Sequence, residues 1–146
     1  MRKKAFHVIL LLMMFFPLAM LSAQTIELTI TGIKSTKGEI LICVFKDNES
    51  FRIEKAFLNK KFEKTGIIEG ELKVQFTLEP GLYGLSLLDD ENSSSLMEYN
   101  FIGIPKEGFG FSDYYHTGIK KPKFDAFSFT LEKDQVKKIT IRIRYM

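Results

Sequence analysis

Residues 72–88, LKVQFTLEPGLYGLSLL, decide the fold class. Val74, Phe76 and Leu78 alternate with Lys73, Gln75 and Thr77. That is the period of two that places successive side chains on opposite faces of a strand. In the second run, Leu82 to Leu88, Tyr83, Leu85 and Leu87 fall on one side. Between the runs, Glu79-Pro80-Gly81 reads as a turn in which Pro presets φ and Gly takes a positive φ. The stretch therefore predicts two strands, paired antiparallel across a tight turn.

The same alternation recurs on both sides of this stretch. Ile26, Leu28 and Ile30 alternate with Glu27, Thr29 and Thr31, and Glu39 to Phe45 is apolar on both faces, as in a central strand of a covered sheet. Lys61 to Ile68 alternates weakly, and its lysines suit an edge strand. Phe127, Phe129 and Leu131 form a short strand, and Ile139, Ile141, Ile143 and Tyr145 the cleanest one, with Thr140, Arg142 and Arg144 on a solvated face. Phe51 to Leu58 favours a short helix capped by Ser50, with Phe51 and Phe57 plugging one open end. About seven strands with turns at short spacing predict an all-β, antiparallel β-sandwich, with a closed barrel as the alternative.

Residues 1–23 read as a secretory signal peptide: Arg2, Lys3 and Lys4, an apolar run from Ile9 to Leu21, then Ser22-Ala23 before Gln24. The apolar run is shorter than the roughly 20 residues of a spanning helix. The expected product is a single domain, residues 24–146, exported to the periplasm or cell surface without a stable membrane anchor. Of 21 Lys+Arg, three lie in the leader, so eighteen remain against eighteen Asp+Glu. The balance argues against binding nucleic acid through a basic field. Cys43 is the only cysteine, so no internal disulfide is expected, and it reads as a small buried hydrophobe.

Residues 89–112 form the longest stretch without alternation, and a long ordered loop in a small β domain is a natural site. Asp90, Asn92, Ser94 and Glu98 place oxygens at alternating loop positions that suit a hard cation such as Ca²⁺. The competing reading is a polar turn in which these side chains bond the local backbone. Gly103, Gly108 and Gly110 let the next segment fold back, with Phe109 and Phe111 as packing anchors and Glu107 accepting backbone N–H bonds. Just beyond, Tyr114, Tyr115 and His116 group aromatic and polar functions as a ligand platform. Glu107, Phe109, Phe111, Tyr114, Tyr115 and His116 are thus the candidate ligand-binding residues.

Gly81 with Tyr83, Asp90-Glu91-Asn92, Asn100 to Ser112 and Pro122 to Ala126 together resemble the bacterial domain-of-unknown-function family 2141. The resemblance implies an exported β-sandwich of immunoglobulin-like or prealbumin-like type, and it implies no established activity. The family pattern has Asn, Gly and Asp where this chain has Ser94, Ser95 and Glu98, which implies weaker cation binding than the family pattern would give. Three functions follow, in order: an exported non-enzymatic module that binds a ligand or partner through residues 89–116; a calcium-stabilised structural domain; and a hydrolase using Glu107, Asp90 or His116. The last is ranked lowest because no nucleophile–base pair is implied.

Overall fold

A computed structural model describes residues 24–146, and the leader read at 1–23 lies outside them. Eight strands form two facing sheets: β1 (Gln24–Thr31), β2 (Glu39–Phe45), β3 (Leu58–Glu63), β4 (Leu72–Leu78), β5 (Gly81–Asp90), β6 (Gly108–Phe111), β7 (Ser128–Leu131) and β8 (Val136–Arg142). The three-stranded sheet runs β4-β1-β8 and the five-stranded sheet β3-β2-β5-β6, with β7 also on β5. The all-β sandwich is as expected, except that β1 and β8 pair in parallel.

The two strands of 72–88 form, but not as a pair. β4 joins β1 in one sheet, and β5 joins β2 in the other. The reason lies in Pro80. A two-residue hairpin needs positive φ at its first or at both loop positions, and Pro cannot supply it. Gly81 has no positive φ either and opens β5 directly. The chain therefore crosses between sheets at Glu79-Pro80.

The core lies between the sheets. Ile26, Leu28 and Ile30 of β1 meet Ile40, Ile42 and Val44 of β2 and Tyr83, Leu85 and Leu87 of β5. A second, aromatic core lies on the outer face of the larger sheet: Phe45, Phe51, Phe109, Phe111, Phe124 and Phe127. β2 and β5 are covered on both faces, which is why their sequences are almost continuously apolar. Gly84 makes room here, since a Cβ on it would stand 2.6 Å from the Phe127 ring.

Three further expectations are corrected. The helix, α1, is Asn48–Arg52, and its cap is Asp47, which accepts the Ser50 N–H at 2.7 Å. Phe51 is buried in the outer aromatic core rather than at an open end, and Phe57 is exposed under Lys46 Nζ. Residues 108–111, read as loop, are strand β6, which bonds β5 on one side and Arg144 on the other. The Phe109–Arg144 bridge joins the two sheets along one side, while β3 and β4 end their sheets on the other. The architecture is a sandwich closed on one side.

Candidate functional site

The outer face of the larger sheet is built in cross-strand rows. Pairing places Lys61, Leu41, Leu88 and Phe109 in one row, and Asn59, Cys43, Ser86 and Phe111 in the next. Cys43 and Ser86 are small, and they are flanked by Leu41 and Leu88 on one side and the Phe45 ring on the other. A hollow is the necessary result. It is a cavity of about 490 Å³ floored by Leu41, Cys43, Ser86, Leu88, Phe109 and Phe111.

Two loops roof this floor. Residues 95–105 contribute Leu96, Met97, Tyr99 and Pro105, and residues 116–122 contribute His116 and Ile119. The first loop is anchored at its base by Asp90. Its two carboxylate oxygens accept the Ser94 N–H at 2.9 Å and the Ser95 N–H at 2.8 Å. Asn92 Oδ1 also accepts the Ser94 N–H, and Asn92 Nδ2 donates to Glu98. Ser94 Oγ donates to the Leu96 carbonyl. Ser93 and Ser95 take positive φ, 57° and 61°, which these bonds must hold against steric preference. In this geometry Asp90, Asn92, Ser94 and Glu98 shape the loop as a polar turn. Among the described residues, no three His, Cys, Asp or Glu side chains group as a metal site.

The second loop is held in part by Arg144, which sequence reasoning places on a solvated face. Arg144 Nη1 donates to the His116 carbonyl at 2.9 Å and the Gly118 carbonyl at 2.7 Å. Lys121 Nζ donates to the Phe51 carbonyl and to Glu54. His116 Nε2 lies 2.7 Å from the Lys120 carbonyl. A carbonyl can only accept, so Nε2 carries a proton, and in the neutral ring Nδ1 is left to accept from Tyr114 Oη at 3.5 Å. His116 thus braces its own loop and packs edge-to-face with the Phe111 ring.

The structure brings Phe109, Phe111 and His116 to the cavity and leaves Glu107, Tyr114 and Tyr115 outside its lining. Phe109 and Phe111 are buried, as their reading as packing anchors requires. Tyr114 packs against the aromatic core, and Tyr115 is exposed with the Arg142 guanidinium 4.6 Å from its ring centre. Glu107 and His116 do not face one cleft. Cys43 is on the cavity floor, where burial pushes its thiol pKa up, so it is a neutral thiol at neutral pH.

Glu107 has a different environment. Its carboxylate oxygens are buried without a hydrogen bond of normal geometry, although the Glu91 and Asn92 N–H groups lie close enough to favour the anion somewhat. Burial, then the nearby Asp90 charge, push its pKa above the ordinary value of 4.5. A carboxyl whose pKa rises on folding stabilises least when ionised. Its cost is absent in acid and appears as pH rises through the folded-state value. Glu107→Gln should therefore raise the urea midpoint at neutral pH, and the gain should disappear below about pH 4. Paired urea titrations at the two pH values measure this, and an equal gain at both would refute it.

Fold and cavity define a class: an all-β sandwich with a loop-roofed apolar pocket on the outer face of its larger sheet. Within that class the chain belongs to the family described as "Uncharacterized protein conserved in bacteria (DUF2141)", whose model matches residues 28–140. The chain matches no curated protein and no solved structure.

Proposed function

We propose that this protein is an exported, non-enzymatic binding module that takes a small, mostly apolar ligand into the cavity between its larger sheet and the two roofing loops. The observation that supports this is the placement of Cys43 and Ser86. Two small side chains in register leave about 490 Å³ open on an otherwise tightly packed aromatic face. That size falls within the range of small-molecule sites, which are commonly apolar with a few polar groups. Asn59, Glu54, Ser86 and His116 supply the polar groups, and Phe109, Phe111, Leu88 and Met97 the apolar contact. Export rests on the leader-like composition of residues 1–23.

Filling the floor tests the reading. Residues 24–146, which contain both sheets and both cores, are titrated with Nile red, a neutral apolar dye. The parent protein should bind it with a blue-shifted emission. Ser86→Phe and Cys43→Leu should each weaken binding by about tenfold or more, the loss expected when roughly 1.4 kcal/mol of contact is removed. Both variants should keep the parent β-sheet circular dichroism. Unchanged dye affinity in both folded variants would refute the proposal.

A further inference from the structure

The two roofing loops also carry large apolar side chains outward. Phe101 is 98% exposed and Ile102 64%, at the tip of the first loop, and Ile119 on the second is 86% exposed. Gly103 and Ile119 both border the cavity, so the two tips stand on the same rim. Scattered exposed apolar residues are normal, but a group of them on adjoining tips is not.

Nor is the first tip slack. Residues 98–106 form a short ribbon: the Lys106 N–H donates to the Glu98 carbonyl at 2.9 Å, Tyr99 bridges Pro105, and the Asn100 N–H donates to the Ile104 carbonyl at 2.9 Å. Asn100 Oδ1 accepts the Ile102 N–H at 3.0 Å and the Ile104 N–H at 2.9 Å. The Gly103 N–H closes the turn on the Asn100 carbonyl. Phe101 and Ile102 are thus held away from the protein by a braced turn. The neighbouring residues 114–123 carry Lys120, Lys121 and Lys123 and no acid, and Lys120 and Lys123, which follow Ile119 in the chain, are exposed.

We propose that this rim docks the protein peripherally on an anionic bilayer surface. Phe101, Ile102 and Ile119 enter the headgroup–acyl boundary, Lys120 and Lys123 meet headgroup phosphates, and the half-exposed Tyr99 lies at headgroup level. The charge of the second loop is complementary to anionic lipid. The convex tip favours a fluid surface over a protein partner, whose binding residues would need a preformed pocket to receive it. The inference stands whether or not the cavity is filled. Three apolar side chains and a few lysines make the contact reversible and salt-sensitive.

Co-sedimentation of residues 24–146 with vesicles tests it, using phosphatidylcholine alone and phosphatidylcholine mixed with phosphatidylglycerol. Binding is expected to the mixed vesicles and to fall with added salt. Phe101→Ser with Ile102→Ser should weaken it about tenfold or more. Both positions are solvent-facing, so thermal midpoints should not move. Lys120→Gln with Lys123→Gln should remove the preference for anionic lipid. Ser86→Phe, which fills the cavity, should bind vesicles as the parent does. Absence of vesicle binding, equal binding by the double-serine variant, or tip-dependent self-association without vesicle binding would each overturn the proposal.

Discussion

Asp89→Ala should destabilise the fold by about 3–5 kcal/mol, as expected when one partner of a buried ion pair is removed. Asp89 lies on β5 with the same parity as Tyr83, Leu85 and Leu87, so its carboxylate points into the space between the sheets. It pairs there with Lys64, and both side chains are fully buried. Lys64 Nζ also donates to the Lys37 carbonyl at 2.6 Å, and Tyr145 Oη donates to the second Asp89 oxygen. Tyr145 Oη in turn accepts the Lys34 N–H at 3.2 Å. Removing the carboxylate leaves an ammonium in the interior with one carbonyl for a partner, which is far costlier than losing an exposed pair such as Lys61–Glu39. Replacing both charges, as in Asp89→Leu with Lys64→Met, should recover much of the loss, because no buried charge is then left unpaired, while the Tyr145 hydroxyl and the Lys37 carbonyl each lose a partner and keep the recovery incomplete. Urea denaturation of the two single variants and the double variant measures this. A cost below about 1 kcal/mol for Asp89→Ala would contradict it. The same network predicts an alkaline limit. Burial first, then Asp89, raise the Tyr145 pKa, so its contribution is complete below the unfolded value near pH 10 and is lost as pH rises further.

That network shows what sequence reasoning reaches and where it stops. Sequence reasoning ends the strand at Leu88 and gives Asp89 to the loop, whereas β5 runs on to Asp90; once the alternation from Tyr83 is carried that far, the inward parity of Asp89 is legible. Its partner is not, because the weakly alternating stretch from Lys61 to Ile68 gives Lys64 no inward face, and only the chain's path after β3 ends at Glu63 brings the two together. The strands themselves are legible wherever one face is buried and period two is strong. β6 escapes that reading because Gly108 and Gly110 stand where a strand would show its other face. Those glycines are required by the C-terminal strand, since a Cβ on Gly110 would lie 2.5 Å from Ile141 and one on Gly108 2.5 Å from Tyr145. The Gly-Phe-Gly-Phe alternation is the available signal. Pairing is misjudged at Pro80, where the residue that marks a turn also forbids the tight hairpin. The cavity is beyond reach of composition. It depends on Cys43 and Ser86 falling in register on adjacent strands, and register is a property of the sheet as a whole. The roof is half legible: Asp90 and Asn92 announce a built loop, but Arg144, which fastens the second loop, looks like any exposed strand residue.

The loop's dependence on its base leads to the second large effect. Gly38→Ala should destabilise the protein by about 3 kcal/mol or more, the upper range of overpacking in a tight site. Gly38 has φ +69°, and a Cβ there would stand 2.0 Å from the Asp90 carbonyl oxygen and 2.6 Å from Glu91 Cα. All the close atoms are backbone, so no side chain can rotate away, and either the 34–38 turn or the end of β5 must shift. A shift at Asp90 disturbs both carboxylate bonds to Ser94 and Ser95, which shape the base of the first roofing loop. The damage should therefore be directional. Amide hydrogen exchange should show lost protection at Ser94 and Ser95, while amides of the β1–β4 ladder change only with global stability. Gly66→Ala separates strain from collision. Gly66 has a similar φ of +75°, but a methyl group there would meet nothing within 4 Å, so only the left-handed backbone penalty of roughly 1–2 kcal/mol applies. If the two alanine variants lose equal stability, backbone strain alone accounts for Gly38 and its contact with the site loop contributes nothing. If Gly38→Ala loses more and its loss of protection is concentrated at Ser94 and Ser95, then the turn joining the two sheets is also the footing of the cavity's roof.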